Sequence, residues 1–123
     1  MGYTHYWKVE RAPDDLEWKR FTTGIKSIVK LSPAPLAGPL GTGKPEVNGN
    51  SVAFNGVEPD DFETFRVERN VCDFEFCKTG HTPYDVAVVA ALMLGKSIGF
   101  LSWSSDGEGD DHAEGLALFN KAV

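Results

Sequence analysis

The chain has 123 residues, of which 41% are hydrophobic and 11% aromatic, and this composition excludes a globally disordered protein. The 18 acidic residues outnumber the 12 Lys and Arg and give a net charge of −6. That charge disfavours direct binding to nucleic acid or to an anionic membrane, because both require a positive field. The length predicts one domain covering residues 1–123.

Residues 1–30 contain no basic start followed by an apolar run, so the sequence predicts no export signal. The longest apolar run, Val86 to Leu94, is much shorter than the roughly 20 residues of a membrane span. Cys72 and Cys77 would point to opposite faces of one continuous strand, which is poor geometry for a disulfide. We therefore expect reduced cysteines, no membrane segment and a cytoplasmic location.

A first strand is predicted at residues 3–9, where ring and apolar side chains alternate with polar ones. One face of this strand carries Tyr3, His5, Trp7 and Val9. We assign Trp7 and Val9 to the core. Tyr3 and His5 lie nearer the strand end and are expected to project into a pocket.

A first helix is predicted at about 13–30. Pro13 suits the first turn, and Asp14 and Asp15 suit the positive end of the helix dipole. Apolar residues then recur at three- and four-residue spacing: Trp18, Phe21, Ile25 and Ile28.

Three short strands are predicted next, around 51–55, 62–69 and 73–78, separated by turn-forming residues. Phe74 and Phe76 share one face of the third of these strands.

The stretch "HTPYDVAVVAALMLGKSIG" predicts a central helix at about 83–97. Thr82 is expected as its N-cap, Pro83 at its first position and Asp85 in a variant capping box. The helix is apolar on all sides from Val86 to Leu94, so we expect it to be buried.

"FLSW" then predicts a strand, and Asp110 and Asp111 begin a last helix that continues through Leu116, Leu118 and Phe119. The order of elements predicts an α+β fold. In it, a mostly antiparallel sheet of about five short strands is packed by three helices.

Two motifs fail on inspection. "GPLGTGK", residues 38–44, has phosphate-loop spacing, but Pro45 supplies neither the hydroxyl nor the N–H that such a site needs. "DGEGDDHAE", residues 106–114, suggests a calcium loop, but Asp111 replaces the turn glycine and Ala117 the bidentate glutamate. Acids at a helix N-terminus explain the segment better, and a weak cation site is the lesser alternative. The cysteines and histidines lack metal-site spacing. The sequence predicts no metal and no cofactor.

"CKTGHTPYD" is the strongest candidate for a binding site. Lys78, Thr79 and His81 gather at the start of the central helix, where free amides and the dipole attract an anion. Tyr84 would add an aromatic wall. The simpler alternative is a helix start capped by Thr82, with His81 on the surface.

Several stretches together resemble a family of small proteins found in bacteriophages and in phage-derived regions of bacterial genomes. They are "MGYTHYW", "FN" at 54–55, "FCKT" at 76–79, "PYD" at 83–85 and "SSDG" at 104–107. The resemblance implies a protein of the infected bacterial cytoplasm that blocks or sequesters a host component. It carries over no activity and no catalytic residues.

The leading hypothesis is a non-enzymatic phage accessory protein that binds a small polar or nucleotide-like ligand. The expected ligand-binding residues are Tyr3, His5, Lys78, Thr79, His81, Tyr84, Ser105 and Asp106. One alternative is a small hydrolase or transferase in which His5 or His81 is the general base and Asp106 orients it. Another is an inhibitor that binds a basic surface of a host protein. The sequence leaves open whether the protein is an enzyme and whether it forms a homo-oligomer.

Overall fold

The computed structural model describes residues 3–123 and confirms the α+β fold. Three helices and seven strands occur in this part of the chain, together with one short 3₁₀ turn at Gly109–His112. The strands are β1 (Thr4–Val9), β2 (Leu36–Ala37), β3 (Glu46–Val47), β4 (Ser51–Gly56), β5 (Phe65–Glu68), β6 (Phe74–Lys78) and β7 (Leu101–Ser105). The helices are α1 (Asp15–Leu31), α2 (Asp85–Ile98) and α3 (Ala113–Ala122). Strands β2 and β3 were not predicted, because two residues are too few to show alternation.

The strands form two sheets in which every pair is antiparallel. The first sheet has the order β6-β1-β7, with His5 opposite Cys77 on one side and Ser105 on the other. In the second sheet, β4 pairs with β2, β3 and β5. The alternation predicted for β1 is confirmed, since Tyr3, His5, Trp7 and Val9 are all buried.

Helix α1 begins with a complete capping box. The Glu17 N–H donates to Asp14 Oδ1 over 2.8 Å, and the Asp14 N–H donates back to Glu17 Oε1 over 3.0 Å. The Arg11 guanidinium binds both Glu17 oxygens at 2.7 Å. This pairing lowers the pKa of the Glu17 carboxyl to about 2. The predicted apolar stripe of α1 is buried as expected.

Helix α2 is buried over most of its length, as its lack of a polar face predicted. Its position agrees with the predicted range of about 83–97, but its predicted N-cap is wrong. The helix begins at Asp85, and the Thr82 hydroxyl donates instead to the Thr79 carbonyl over 2.7 Å. Thr82 ends a tight turn there, and so it cannot cap the helix. Asp85 does not complete a capping box either, because its carboxylate points towards β1.

Both sheets and all three helices contribute to one hydrophobic core. The Trp7 ring lies 4.9 Å from the Phe65 ring, which lies 5.0 Å from the Phe54 ring, so aromatic contacts join the two sheets. Three large apolar side chains of the predicted elements are solvent-exposed. They are Phe74 and Phe76, which share a strand face, and Leu116 of the last helix.

The segment from Gly38 to Lys44 is a turn, as predicted, and no helix follows it. The Gly41 N–H donates to the Gly38 carbonyl, and the Gly38 N–H donates to the Thr42 carbonyl.

Both cysteines are free thiols. Only Cys77 belongs to β6, while Cys72 lies before the strand and is exposed. Among residues 3–123, no helix has the length and apolar character that crossing a bilayer demands.

Candidate functional site

His5 and His81 contact Tyr3 where the beginning of β1 meets the beginning of α2, and His112 lies next to His5. The His81 ring stacks on the Tyr3 ring with centroids 3.6 Å apart. The Tyr3 ring meets the edge of His5 at 5.1 Å, and His5 lies 6.0 Å from His112. We call Tyr3, His5, His81 and His112 the histidine cluster. The segments "YTHY" and "KTGHTPYD", far apart in sequence, therefore lie side by side.

His5 is fully buried and bonded to Asp85 across the core. Its Nε2 lies 2.6 Å from Asp85 Oδ1, and the Thr79 hydroxyl donates to the same oxygen over 2.5 Å. Opposite an ionised carboxylate, which only accepts hydrogen bonds, His5 Nε2 is the donor of this contact. His5 Nδ1 is buried without a hydrogen-bond partner among the described residues. This contact ties β1 to the first turn of α2.

His81 adopts a left-handed backbone conformation, with φ of 61°, directly after Gly80 with φ of 60°. The two residues occupy the centre of a tight turn closed by the Thr82 N–H donating to the Thr79 carbonyl over 3.0 Å. Glycine adopts this conformation readily, but a residue with a Cβ pays a steric penalty there. Such strain persists where the surroundings hold it and often marks a functional position. Here the stack on Tyr3 holds His81 in place.

Ser105 links the end of β7 to the histidine cluster. Its hydroxyl oxygen accepts from the Gly107 N–H over 2.9 Å and lies 3.2 Å from His112 Nε2. Burial and the neighbouring His5 lower the pKa of His112. The Tyr3 hydroxyl packs so closely on Gly107 that a Cβ at this position would collide with it.

The pKa of Tyr3 is raised, because burial and the nearby Asp85 carboxylate oppose its ionisation. Ser105 lies close enough to favour the phenolate slightly, but its geometry does not make a hydrogen bond. The Tyr3 hydroxyl is therefore buried without a partner among residues 3–123.

Asp106 binds groups of β1 and does not contact a histidine in the way that the sequence predicted. Its carboxylate accepts from the Thr4 N–H and from the Tyr6 hydroxyl, each over 3.1 Å. Asp106 does not orient His5, because Asp85 takes that place, and no hydrogen bond joins Asp106 to His81 among the described residues. The sequence predicts Asp85 in a helix cap, because its contact with β1 arises only when the chain is folded.

Lys78 and Tyr84 also lie elsewhere than expected. Tyr84 is fully buried and donates its hydroxyl to the Glu63 carbonyl over 2.6 Å, and it does not line the cleft next to His81. The Lys78 N–H donates to Glu63 Oε1 over 2.7 Å, and Lys78 does not border the cleft next to His81. The cleft therefore brings together His81 and the start of α2 without Lys78.

The cleft next to His81 has a volume of about 430 Å³ and lies between the start of α2 and the start of α3. Its apolar wall comes from Pro83 and Val86. Four carboxylates border it: Asp85, Asp110, Asp111 and Glu114. No Lys or Arg of the described chain lines it. We call this the acidic cleft. The sequence favoured dipole partners for the acids before α3, with a weak cation site as the lesser alternative, and it did not place them beside the start of α2.

No family model, no curated protein and no solved structure matches this chain. Within residues 3–123, no group of three or more His, Cys, Asp or Glu side chains is arranged to hold a metal ion. The candidate site is therefore defined by its own geometry, as an acidic cleft beside a stacked and partly buried histidine cluster.

Proposed function

We propose that the protein is a non-enzymatic phage accessory protein that binds a small polar ligand through a positively charged group in the acidic cleft. The observation that carries this proposal is the charge of the cleft wall, with four carboxylates and no described Lys or Arg. The phage origin rests on the resemblance of "MGYTHYW" and "SSDG" alone. Sequestering a host component is the role that such an origin favours.

The cleft disfavours the nucleotide-like ligand expected from the sequence, because a phosphate would meet uncompensated negative charge. Asp110, Asp111 and Glu114 are exposed, although Asp111 Oδ2 already accepts from the Glu108 N–H. Asp85 is engaged by His5 and Thr79. An amine or guanidinium is the complementary group, since carboxylates accept charge-assisted hydrogen bonds from it. The volume of about 430 Å³ suits a small molecule.

The arrangement favours binding over catalysis. His5 is fully buried, so it has no access to a substrate. The Ser105–His112 contact is the nearest approach to a nucleophile and base, but no carboxylate is hydrogen-bonded to His112 within the described chain. A binding role needs only the cleft and the fixed ring of His81.

The test is calorimetric titration of the protein with spermidine, arginine amide and adenosine monophosphate at low salt. We expect the two cations to bind and the nucleotide not to bind. Glu114→Gln and Asp110→Asn should each weaken cation binding by about tenfold, through loss of a charge-assisted hydrogen bond. The matched control is Asp73→Asn, which neutralises an exposed carboxylate outside the cleft. Nucleotide binding without cation binding would contradict the proposal.

A further inference from the structure

Strand β6 forms an edge of the first sheet, and part of its backbone has no partner. Along an antiparallel strand, the N–H and C=O groups of alternate residues point to opposite sides. The backbone N–H and C=O of Lys78 point away from β1, because both are hydrogen-bonded to Glu63. Thr4 lies opposite Lys78 in β1, and its own backbone groups bond Asp106 on the β7 side. The alternation then directs the backbone groups of Phe74 and Phe76 to the open edge as well.

No described residue bonds Phe74 or Phe76 from that open side. This edge carries no proline and no bulge between residues 74 and 78, and both are features that block strand pairing. Glu63 closes the edge at Lys78 and limits the free segment to the first part of β6.

The side chains beside this open edge are aromatic and exposed. Phe74 is 62% exposed and Phe76 is 58% exposed, on the sheet face that carries Tyr6. Tyr6 stacks on Phe74 with ring centroids 6.1 Å apart. A solvent-facing sheet surface normally carries polar residues, and a cluster of exposed aromatic rings is typical of an interaction surface.

Glu75 lies between the two phenylalanines and points to the other face of the sheet, where it is exposed. A strand added to β6 would place one residue directly opposite Glu75 and its two neighbours opposite Phe74 and Phe76. A basic residue opposite Glu75 is favoured, and apolar residues suit the positions opposite the rings.

We propose that the open edge of β6 binds an extended segment of a partner protein with an apolar–basic–apolar pattern. The segment extends the first sheet by one strand, with backbone hydrogen bonds to Phe74 and Phe76. The net charge of −6 favours the approach of such a basic partner. This edge is separate from the proposed ligand cleft, since none of residues 74–76 lines that cleft.

A second copy of this chain suits the edge less well. Pairing Phe74 with Phe76 of the copy puts the two Glu75 side chains directly opposite each other, and like charges there are destabilising. Centring the pair on Phe76 places Phe74 opposite Lys78, whose outward groups already bond Glu63. Only one pair of backbone bonds would then form.

The test is fluorescence polarisation with two labelled peptides, one alternating valine and lysine and the other alternating valine and glutamate. We expect the native protein to prefer the lysine peptide. Glu75→Lys should reverse the preference, with a change of about tenfold for each peptide, because an attractive cross-strand pair becomes repulsive. Melting temperature controls for folding.

Phe76→Pro tests the backbone bonds. It removes an outward N–H without touching the bonds to β1, and proline is tolerated on a sheet edge. Phe76→Ala is its matched control, which loses the ring but keeps the N–H. We expect Phe76→Pro to abolish peptide binding and Phe76→Ala to weaken it. Equal binding of both peptides to native protein and Glu75→Lys would overturn the proposal. A native dimer in sedimentation that Phe76→Pro dissociates would also overturn it, in favour of a second copy.

Discussion

At the scale of single residues, the buried contact between His5 and Asp85 is the most consequential polar feature of the described chain. One carboxylate oxygen accepts from both His5 Nε2 and the Thr79 hydroxyl, and all three residues are buried. Polar groups of this kind cost free energy unless they are paired, so each partner depends on the others.

Asp85→Ala should destabilise the fold by about 3 kcal/mol, because it leaves His5 and Thr79 buried without their acceptor. Asp85→Asn keeps an amide oxygen in place and should cost less. The free energy of unfolding in urea measures both, with the exposed Asp73→Ala as the matched control. A loss below about 1 kcal/mol in Asp85→Ala would show that the contact does not hold β1 to α2.

His112 predicts a pH dependence of stability. Its pKa lies below the ordinary value of 6.5, because burial and the nearby His5 outweigh the attraction of Asp85 and Asp111. A depressed histidine pKa in the folded state means that the unfolded chain binds the proton more readily. Stability from this residue is therefore lost as the pH falls through 6.5 and below.

His112→Gln should remove that part of the acid sensitivity, since glutamine can still bond Ser105 but does not titrate. Urea midpoints at about pH 7.5 and about pH 5.5 compare the two proteins. We expect the drop between these conditions to be smaller in His112→Gln than in the native chain. An identical drop in both would place the acid sensitivity elsewhere.

At the scale of elements, close helix packing depends on glycine where α3 crosses α2. A Cβ at Gly115 would collide with the Val89 side chain, including its Cβ, which is fixed to the α2 backbone. The helices could relieve that collision only by moving apart, and this would open the core around Leu118.

Gly115→Ala should therefore destabilise the protein, because an overpacking cost of roughly 1–3 kcal/mol exceeds the gain of about 1 kcal/mol in helix propensity. Val89→Ala in the same chain should restore part of the loss, since the two changes share one contact. Thermal melting of the single and double variants checks this. Gly109→Ala is the control, because a Cβ at Gly109 meets only open space. A Gly115→Ala protein more stable than native would refute the close packing.

At the scale of the whole molecule, the two sheets depend on each other. Phe65 of the second sheet is fully buried against Trp7 of the first, and α2 contacts the same core. A shared core of this kind predicts one cooperative unfolding transition rather than two.

Phe65→Ala should cost about 3–5 kcal/mol, the usual range for emptying an aromatic site in a core. Tryptophan fluorescence and far-UV circular dichroism should still give the same urea midpoint, because both sheets unfold together. Leu40→Ala, which truncates an exposed side chain, should change the midpoint little. Separate midpoints for the two probes would show that the sheets unfold independently.

Local patterns in the sequence determined the fold class and most of its elements. The alternation in β1, the capping residues of α1 and the apolar run of α2 each express a preference that a short segment carries by itself. They also identified the β1 start and the α2 start as candidate binding segments, and the fold brings these two segments together. The individual roles were less predictable. Tyr84, expected at an open site, is buried, because its position depends on Glu63 from a distant loop.

Only the tertiary structure decided which polar groups meet. Asp85 suits a helix start on local grounds, yet its carboxylate bonds His5, 80 positions away along the chain. The acids at Asp110 and Glu114 are ordinary for a helix start, and they form a cleft only because α3 packs beside the start of α2. Phe74 and Phe76 share a strand face that the sequence predicted, but their exposure depends on which face of the sheet the helices cover. Local preferences act over a few residues, whereas sites and surfaces arise from contacts between segments that the sequence separates widely.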